Sequence, residues 1–288
     1  MKFGLMFANA GPFAMPSLFA HLANSAEQFG FESIWTVEHV VIPMGYKSTY
    51  PYSRDGRMPG GEDAPIADPL LPLAYAAAVT TKLKLATGII ILPQRHPVYL
   101  AKEVATLDIL SNGRVMLGIG SGWLKEEFES LGVDFHTRGA RTDEAIQVMR
   151  ALWRENEASF RGKHFNFGPV KSNPKPVQKG GVPIHVGGHS PAAARRAGRY
   201  GDGFFPALGD PAKLKELFAL VKEECGKRGR NFSEVELSGM VRPRLDSVKI
   251  AQDLGISRVS IPPPAYDADG LTRGLEKFAN EVIAKVKV

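Results

Sequence analysis

The chain has 288 residues, 44% of them hydrophobic and 23% charged, proportions that describe an ordinary globular protein and exclude a disordered or fibrous one. Its 36 basic and 30 acidic residues leave a net charge of +6, but the basic residues are spread over all predicted helices. This favours solvated helix faces over a nucleic-acid-binding face, with a small anionic ligand as the alternative. The single cysteine excludes an internal disulfide and, with no apolar run of about 18 residues for a membrane span, predicts a cytoplasmic protein.

Short apolar strands alternate with helices along the whole chain. No linker divides them, so we predict one domain over residues 1–288, a (β/α)8 TIM barrel of the α/β class. The predicted strands are residues 2–8, 31–37, 83–92, 115–119, 183–186, 203–206, 235–241 and 258–261, and the predicted helices are residues 16–29, 69–80, 98–110, 125–131, 141–153, 191–200, 210–228, 243–254 and 271–287.

Residues 82–123 form the most informative strand–helix–strand unit. Gly88 interrupts the first strand, as a bulge or a close backbone approach would require. Asn112-Gly113 ends the helix, and the second strand leads into Gly118, Gly120 and Gly122. Strands joined by a helical crossover are parallel, so both carboxyl ends are expected to open on one face, where α/β barrels place their functional groups.

Two insertions are predicted in the barrel. Residues 40–68, after strand two, contain Tyr46, Tyr50 and Tyr52 but no periodic pattern, and loops of this length commonly act as lids or binding loops. We call residues 40–68 the lid segment. Residues 159–179, before strand five, show the alternation of a small hairpin followed by an irregular return.

A histidine lies at the predicted carboxyl end of strand two. His39 follows Glu38 directly and precedes the lid segment. Imidazole titrates near neutral pH, so His39 is a candidate to bind a cofactor ring, to stabilise a developing alkoxide or to transfer a proton. A purely structural role is the alternative for a lone histidine.

A glycine turn follows strand five and precedes a helix. Gly187, Gly188, His189 and Ser190 place free backbone N–H groups at a helix N-terminus, with Ser190 as N-cap, and phosphate is the anion that such a turn commonly binds. The alternative is a tight turn that needs glycine for its geometry alone.

Other site types are not supported. The glycine run at 118–122 is no dinucleotide fingerprint, because Trp123 stands where a third glycine belongs and the run follows the fourth strand. His185 and His189 do not share a helical face, and no paired cysteines or HExxH motif occur, so no metal site is expected. GIGSGW is not a nucleophile elbow, which argues against triad hydrolysis.

Longer motifs accompany these features: Glu38-His39, TGIIILPQRHP at 87–97, AKEVATLDILSNGRVMLGIGSGW at 101–123, EFESLGVDFHTRGARTDEAIQVMRALW at 127–153, PKPVQ at 174–178 and PIHVGGHSPAAARRAGRYGDGFFP at 183–206. Together they resemble the bacterial luciferase-like monooxygenase superfamily and, within it, the deazaflavin-dependent oxidoreductases. The matching motifs extend over about two thirds of the chain, and the last third matches in pattern only.

The resemblance implies a flavin or deazaflavin over the carboxyl ends of the strands, and a homodimer formed by the helices after strands two and three. His39 would face the reactive ring. Behind the ring, a bulge with a cis peptide bond at Gly88–Ile89 is implied. The implied cofactor-binding residues are Thr87, Gly88 and Ile89 at the bulge, Gly120 and Gly122 beside the cofactor side chain, and Gly187, Gly188, His189 and Ser190 at its phosphate.

One position departs from the resemblance. Sugar-phosphate dehydrogenases of this superfamily have a glutamate directly after the strand-four glycines, where this chain has Trp123, so a sugar phosphate substrate is not expected. The sequence does not decide whether Glu126 and Glu127 face the site or solvent.

We therefore predict an oxidoreductase that transfers a hydride between coenzyme F-420 and a small organic substrate, with His39 as catalytic residue. Tyr46, Tyr50, Tyr52 and Trp123 are the predicted substrate contacts. The alternatives are a reduced-FMN monooxygenase on the same barrel and a flavin- or deazaflavin-binding protein without turnover.

Overall fold

Eight short parallel strands close into a barrel in a computed structural model that describes residues 1–207 and 209–286. The third strand is interrupted at Gly88 and Ile89, and Ile90–Ile91 continues it. The barrel confirms the predicted fold class. In chain order the strands are β1 (Lys2–Leu5), β2 (Ser33–Thr36), β3 (Lys84–Thr87), β4 (Val115–Gly120), β5 (Ile184–Gly187), β6 (Gly203–Phe205), β7 (Glu236–Met240) and β8 (Arg258–Ile261).

Strand pairing closes the ring. β1 lies between β8 and β2, and β3 pairs with both β2 and β4. Leu85 opposite Val115 fixes the β3–β4 register, and Lys2 opposite Arg258 fixes the β8–β1 register. Because all pairs are parallel, every strand ends on the same face, which places the segments after β2, β3, β4 and β5 around one opening.

Helices surround the strands and cover their outer faces. Their apolar sides pack with the outward strand residues into one core, and each fully buried leucine there contributes roughly 1.5–3 kcal/mol. The helices are α1 (Pro16–Gln28), α2 (Leu70–Val79), α3 (Pro97–Leu110), α4 (Lys125–Ser130), α5 (Arg138–Arg154), α6 (Pro191–Tyr200), α7 (Pro211–Lys227), α8 (Leu245–Asp253) and α9 (Ala268–Glu281).

The closing helix differs from its prediction. α9 begins at Ala268, three residues before the predicted start at Leu271, because the Asp267 carboxylate caps the helix and accepts the Gly270 N–H at 2.8 Å. It ends at Glu281, and the predicted last residue, Lys287, lies outside the described residues.

Both insertions are present. The chain between β2 and α2 contains one short 3-10 helix, Gly61–Asp63, and is otherwise irregular. Asn9, fully buried after β1, ties this segment down through bonds from its side-chain amide to the Val37 and Ala67 carbonyl oxygens, at 2.8 and 2.6 Å. Before β5, Ala158–Arg161 and Asn166–Val170 form the expected antiparallel hairpin.

The barrel interior is filled by side chains. Trp35 is fully buried and stands edge-on to Phe205 and His185, with centroid distances of 5.2 and 6.0 Å. At the amino end of the strands, Arg258 is 2% exposed and pairs with Glu32 and Glu236. The barrel is thus a packed core, which leaves the carboxyl face as the place for a ligand.

Candidate active site

His39 is held at the rim of the barrel by a buried carboxylate. It lies three residues after the end of β2, with 10% of its side chain exposed. Its Nδ1 atom is 2.9 Å from Oε2 of Glu127, whose side chain is fully buried. Glu127 of α4, which the sequence left undecided, therefore faces the site.

The neighbouring Glu38 anchors the rim from the other side. Its carboxylate accepts the Ile91 N–H at 2.5 Å and the Arg95 Nε–H at 2.7 Å, and Arg95 also pairs with Asp68 at 2.9 Å. Burial raises the pKa of Glu38, although the Arg95 charge acts in the opposite direction. These bonds join the ends of β2 and β3 to the base of the lid segment.

The bulge in β3 adjoins the end of β2, where the Gly88 N–H donates to the Thr36 carbonyl oxygen at 2.6 Å. The Gly88–Ile89 peptide bond is cis, as the resemblance implied. Thr87 is buried, and its hydroxyl donates to the Gly118 carbonyl oxygen at 2.7 Å. Gly88 and Ile89 are half-buried, so the bulge is accessible from the carboxyl face.

The glycines around the bulge leave space that backbone and side-chain atoms of Thr87 and Ile89 occupy. A Cβ atom on Gly118 would lie 1.8 Å from the Thr87 carbonyl oxygen. On Gly120 and Gly187 it would lie 2.8 and 2.5 Å from the Ile89 side chain. The strand-four glycines, which sequence reasoning assigned to ligand approach, make room for the bulge, and their contact with a cofactor stays a prediction.

Gly122 has a related role. Its φ of +77° lies in the left-handed region, and a Cβ atom there would meet Phe128 and Ile91 at 2.7 Å. This turn directs the chain from β4 into α4, which brings Trp123 and Glu127 to the site.

The turn after β5 is partly engaged by the protein itself. The Gly188 N–H donates to the Phe205 carbonyl oxygen at 3.3 Å, and Ser190 caps α6 by accepting the Ala193 N–H at 3.2 Å. His189 Nδ1 is buried without a partner among the described residues. Burial, together with the Lys213 charge, lowers the pKa of His189.

Aromatic rings cross the barrel opening from His39 to His189. Trp123 stands edge-on to His39 at 5.7 Å and to Tyr50 at 5.2 Å. Tyr50 contacts Tyr52 at 5.2 Å, and Tyr52 contacts His189 at 5.0 Å. The lid segment thus covers the opening. Burial of the Tyr50 side chain raises its pKa to about 12.

Tyr46 differs from the other two predicted tyrosines. It is 3% exposed, its hydroxyl accepts the Met58 N–H at 3.0 Å, and the Arg57 guanidinium lies 5.1 Å from its ring centroid. Tyr46 also packs on Trp123 at 5.6 Å. Its polar group is therefore engaged inside the lid segment.

Glu126 ties the lid segment to α4. Its carboxylate accepts the backbone N–H groups of Lys47 and Ser48 at 2.8 and 3.1 Å and the Ser48 hydroxyl at 2.7 Å. Partial burial opposes ionisation, but these hydrogen bonds together lower the pKa of Glu126 to about 2. Adjacent glutamates of one short helix thus hold the lid segment and the histidine.

Sequence reasoning missed Asn9 and Phe7 at the end of β1. Asn9 had a signal, a polar residue within an apolar segment. Phe7 had none: it is 36% exposed on the carboxyl face and has a φ of 61°, an unusual value for a bulky residue.

Two cavities lie away from this face. One, of about 360 Å³, is lined by Phe232, Glu236 and Ser257 at the amino ends of β7 and β8. Another, of about 310 Å³, lies between α5 and the hairpin. The carboxyl face is the candidate active site, because the buried carboxylate of Glu127, the two histidines and the bulge all lie there.

The residues at this face fit a planar cofactor with an anionic tail. His189 Nδ1, and both polar atoms of the Gln94 amide after the bulge, are buried without partners in the described part of the chain. The half-buried bulge supplies backbone that a ligand could approach. No cluster of three or more metal-ligating side chains occurs among the described residues.

Known proteins share both sequence and fold with this chain. The luciferase-like monooxygenase family profile matches residues 3–247. An uncharacterized protein of Mycobacterium tuberculosis is 35% identical over 277 residues, covering 92% of this chain and 94% of the relative.

Two further similarities concern enzymes with named activities. The F-420-dependent glucose-6-phosphate dehydrogenase of Nocardia farcinica is 33% identical over 241 residues, covering 80% of this chain and 67% of the relative. The coenzyme F-420-dependent tetrahydromethanopterin reductase of Methanopyrus kandleri has the same fold, with a TM-score of 0.78 over 99% of both chains at 18% identity.

Proposed function

This chain belongs to the luciferase-like monooxygenase family, and on that premise we propose that it is an oxidoreductase that uses the deazaflavin coenzyme F-420 to move a hydride to or from a small organic substrate. The observation that carries the proposal is the continuous set of ring contacts across the barrel opening, from His39 through Trp123, Tyr50 and Tyr52 to His189. These contacts bring the candidate catalytic histidine and the candidate phosphate turn to one face.

The F-420-dependent relative in Nocardia farcinica supports the choice of cofactor, since it is 33% identical to this chain and covers 80% of it. When bound, the deazaflavin supplies the hydride acceptor or donor. The protein supplies orientation and exclusion of water. His39 would lie at the reactive part of the ring, and the bulge at Gly88 and Ile89 would support the ring from behind.

The turn after β5 would hold the phosphate of the cofactor. Because Gly188 already donates to Phe205, we assign this contact to His189 and Ser190. His189 Nδ1 is the buried atom that has no partner among the described residues. A neutral imidazole can donate this hydrogen bond, and the net charge of +6 favours an anionic ligand.

The substrate would lie against an aromatic wall. Trp123 contacts the rings of His39, Tyr46 and Tyr50, each of them edge-on. An indole cannot accept hydrogen bonds from sugar hydroxyls, whereas it provides a large apolar surface. We therefore propose a substrate with an apolar or aromatic portion instead of a sugar phosphate.

Titration of the purified protein with F-420 and, separately, with FMN tests the cofactor. We expect saturable binding of F-420 and weaker binding of FMN, followed by changes in cofactor fluorescence. Tighter binding of FMN accompanied by oxygen consumption would show the monooxygenase alternative to be correct.

Replacement of His39 tests catalysis separately from binding. We expect His39→Ala to keep F-420 affinity within about threefold and to lose turnover by roughly 10²–10⁴-fold, the usual contribution of a general acid or base. His136→Ala, at an exposed position outside the site, is the matched control. Equal turnover in both variants would remove His39 from the mechanism.

A further inference from the structure

The carboxyl group of Glu127, in the short helix α4, has three hydrogen-bonding partners in the segment after β2. Its Oε2 atom lies 2.9 Å from His39 Nδ1, and its Oε1 atom accepts the backbone N–H groups of Val40 and Val41 at 2.7 and 3.3 Å. The side chain is fully buried, so these three contacts replace solvent around the carboxyl group.

The pattern of partners matches an ionised carboxylate beside a neutral imidazole. An ionised carboxylate only accepts hydrogen bonds, and two backbone N–H groups already point at one of its oxygens. The remaining oxygen then needs a donor, so His39 Nδ1 carries a proton. In the neutral ring the proton can be on one nitrogen only, which leaves the lone pair on Nε2.

His39 Nε2 is the nitrogen that remains for a ligand. It makes no hydrogen bond within the described part of the chain, the His39 side chain is 10% exposed, and the ring contacts Trp123 edge-on at 5.7 Å. Glu127 thus has the relation to His39 that a buried carboxylate has to the histidine of a catalytic triad, with orientation and tautomer both set from behind.

We propose that Glu127 is the positioning residue of this site, holding His39 with a proton on Nδ1 so that Nε2 presents an acceptor to the substrate. The inference rests on the proposed function for its catalytic consequence, but the tautomer is a property of the protein alone. It can therefore be measured whether or not F-420 is the cofactor.

Glu127→Gln is a sharp test because an amide has one acceptor and one donor end. If its oxygen keeps the Val40 and Val41 N–H groups, its NH₂ group faces His39 Nδ1, which must then give up its proton. We expect the proton to move to Nε2 and the acceptor at the substrate to be lost. Glu129→Gln, two residues later on the same helix and exposed, is the matched control.

Nitrogen-15 NMR of histidine-labelled protein at pH 8 reports the tautomer directly, and the His39 signal is assigned by its loss in His39→Gln. In the unmodified protein we expect a proton on Nδ1, a result that does not depend on any change at Glu127. We expect Glu127→Gln to move it to Nε2, and Glu129→Gln to leave it in place. A proton on Nε2 in the unmodified protein, or an unchanged tautomer in folded Glu127→Gln, would overturn the proposal.

Activity measurements add the catalytic consequence. Glu127→Gln is expected to bind F-420 as the unmodified protein does and to lower kcat/KM on the order of 10³-fold. If the unmodified protein binds no F-420, the proposed function fails while the NMR result still stands. If Glu127→Gln shifts the tautomer but keeps full turnover, the positioning role is wrong while the proposed function survives.

Discussion

His185 is a titratable residue that the proposed chemistry does not use. It lies inside the barrel on β5, 3% exposed, and burial together with the Arg258 charge lowers its pKa to about 3. The unfolded chain titrates near the ordinary value of 6.5. The stability that depends on neutral His185 is therefore complete above pH 6.5 and falls as the pH drops toward 3, by about 1.4 kcal/mol per pH unit.

We predict that His185→Gln flattens the acid limb of the stability curve. Urea unfolding at pH 7.5 and pH 5 should show that the unmodified protein loses about 2 kcal/mol more than the variant between these values. His136→Gln is the control, since His136 is exposed, and it should behave as the unmodified protein does. Equal losses in the protein and in His185→Gln would show that His185 is not the group that responds.

The glycines around the bulge yield a second prediction at the residue scale. Gly118→Ala should cost more than about 3 kcal/mol or prevent folding, because its Cβ atom would lie 1.8 Å from a backbone oxygen that cannot move alone. Gly120→Ala should cost less, since its Cβ atom meets the end of the Ile89 side chain at 2.8 Å.

Denaturant unfolding of a double-mutant cycle checks the assignment. Adding Ile89→Ala should recover most of the loss caused by Gly120→Ala, with a coupling of roughly 0.5–3 kcal/mol, and none of the loss caused by Gly118→Ala. Gly168→Ala, where no atom lies within 4 Å of the added Cβ, is the neutral control. Additive effects at Gly120 and Ile89 would contradict the packing described for the bulge.

At the scale of elements, α4 joins the lid segment to the barrel through Glu126. We predict that Glu126→Gln releases the lid segment, because the hydrogen bonds from Lys47 and Ser48 lose their charged acceptor. Limited trypsin digestion, which can cut after the exposed Lys47, Arg54 and Arg57, should become faster by several-fold.

The pH dependence of digestion follows from the same carboxylate. The pKa of Glu126 is lowered to about 2 in the folded protein. The latch of the lid segment, meaning the hydrogen bonds from Lys47 and Ser48 to this carboxylate, is therefore complete above about pH 4.5 and is lost only as the pH falls toward 2. Protection of the lid segment should therefore be constant from pH 5 to pH 9. Glu129→Gln should digest as the unmodified protein does, and the same rate in Glu126→Gln would show that the latch has no effect.

Sequence patterns predicted the helices and strands well where the hydrophobic periodicity was strong and where residues that end an element were present. The strand–helix–strand unit at 82–123 was found with its stop at Asn112-Gly113, both of which have positive φ. The path of the lid segment was not predictable, because residues 40–68 carry no periodic pattern. The orientation of Glu127 was not predictable either, because its partner His39 lies 88 residues away and no local rule connects the two residues.

At the scale of the whole molecule, barrel closure brings together ends that no local pattern joins. The alternation of elements predicted parallel strands, but the pairing of β1 with β8 depends on strands more than 250 residues apart. The contacts from His39 to His189 likewise join the segments after β2, β4 and β5, which no local pattern connects. Sequence therefore predicted which residues lie at the carboxyl face, and the structure was needed for their neighbours.

For the whole molecule, we predict that two chains associate. Adjacent helices α2 and α3 expose large apolar side chains: Leu71 at 72% and Tyr75 at 44% are one turn apart on α2, and Tyr99 at 75% and Leu110 at 66% lie three turns apart on α3. Large exposed apolar patches mark interaction surfaces, and we propose that a second copy of this chain covers this one.

The double variant Leu71→Glu/Tyr75→Glu should convert a dimer into a monomer, because burying two carboxylates against an apolar partner costs several kcal/mol. Analytical ultracentrifugation at micromolar concentration measures the mass, and circular dichroism confirms that the fold is kept. Ile250→Glu, at a 52% exposed position on α8 across the barrel, should remain a dimer. A monomeric unmodified protein, or a double variant that still dimerises, would show that α2 and α3 do not form the interface.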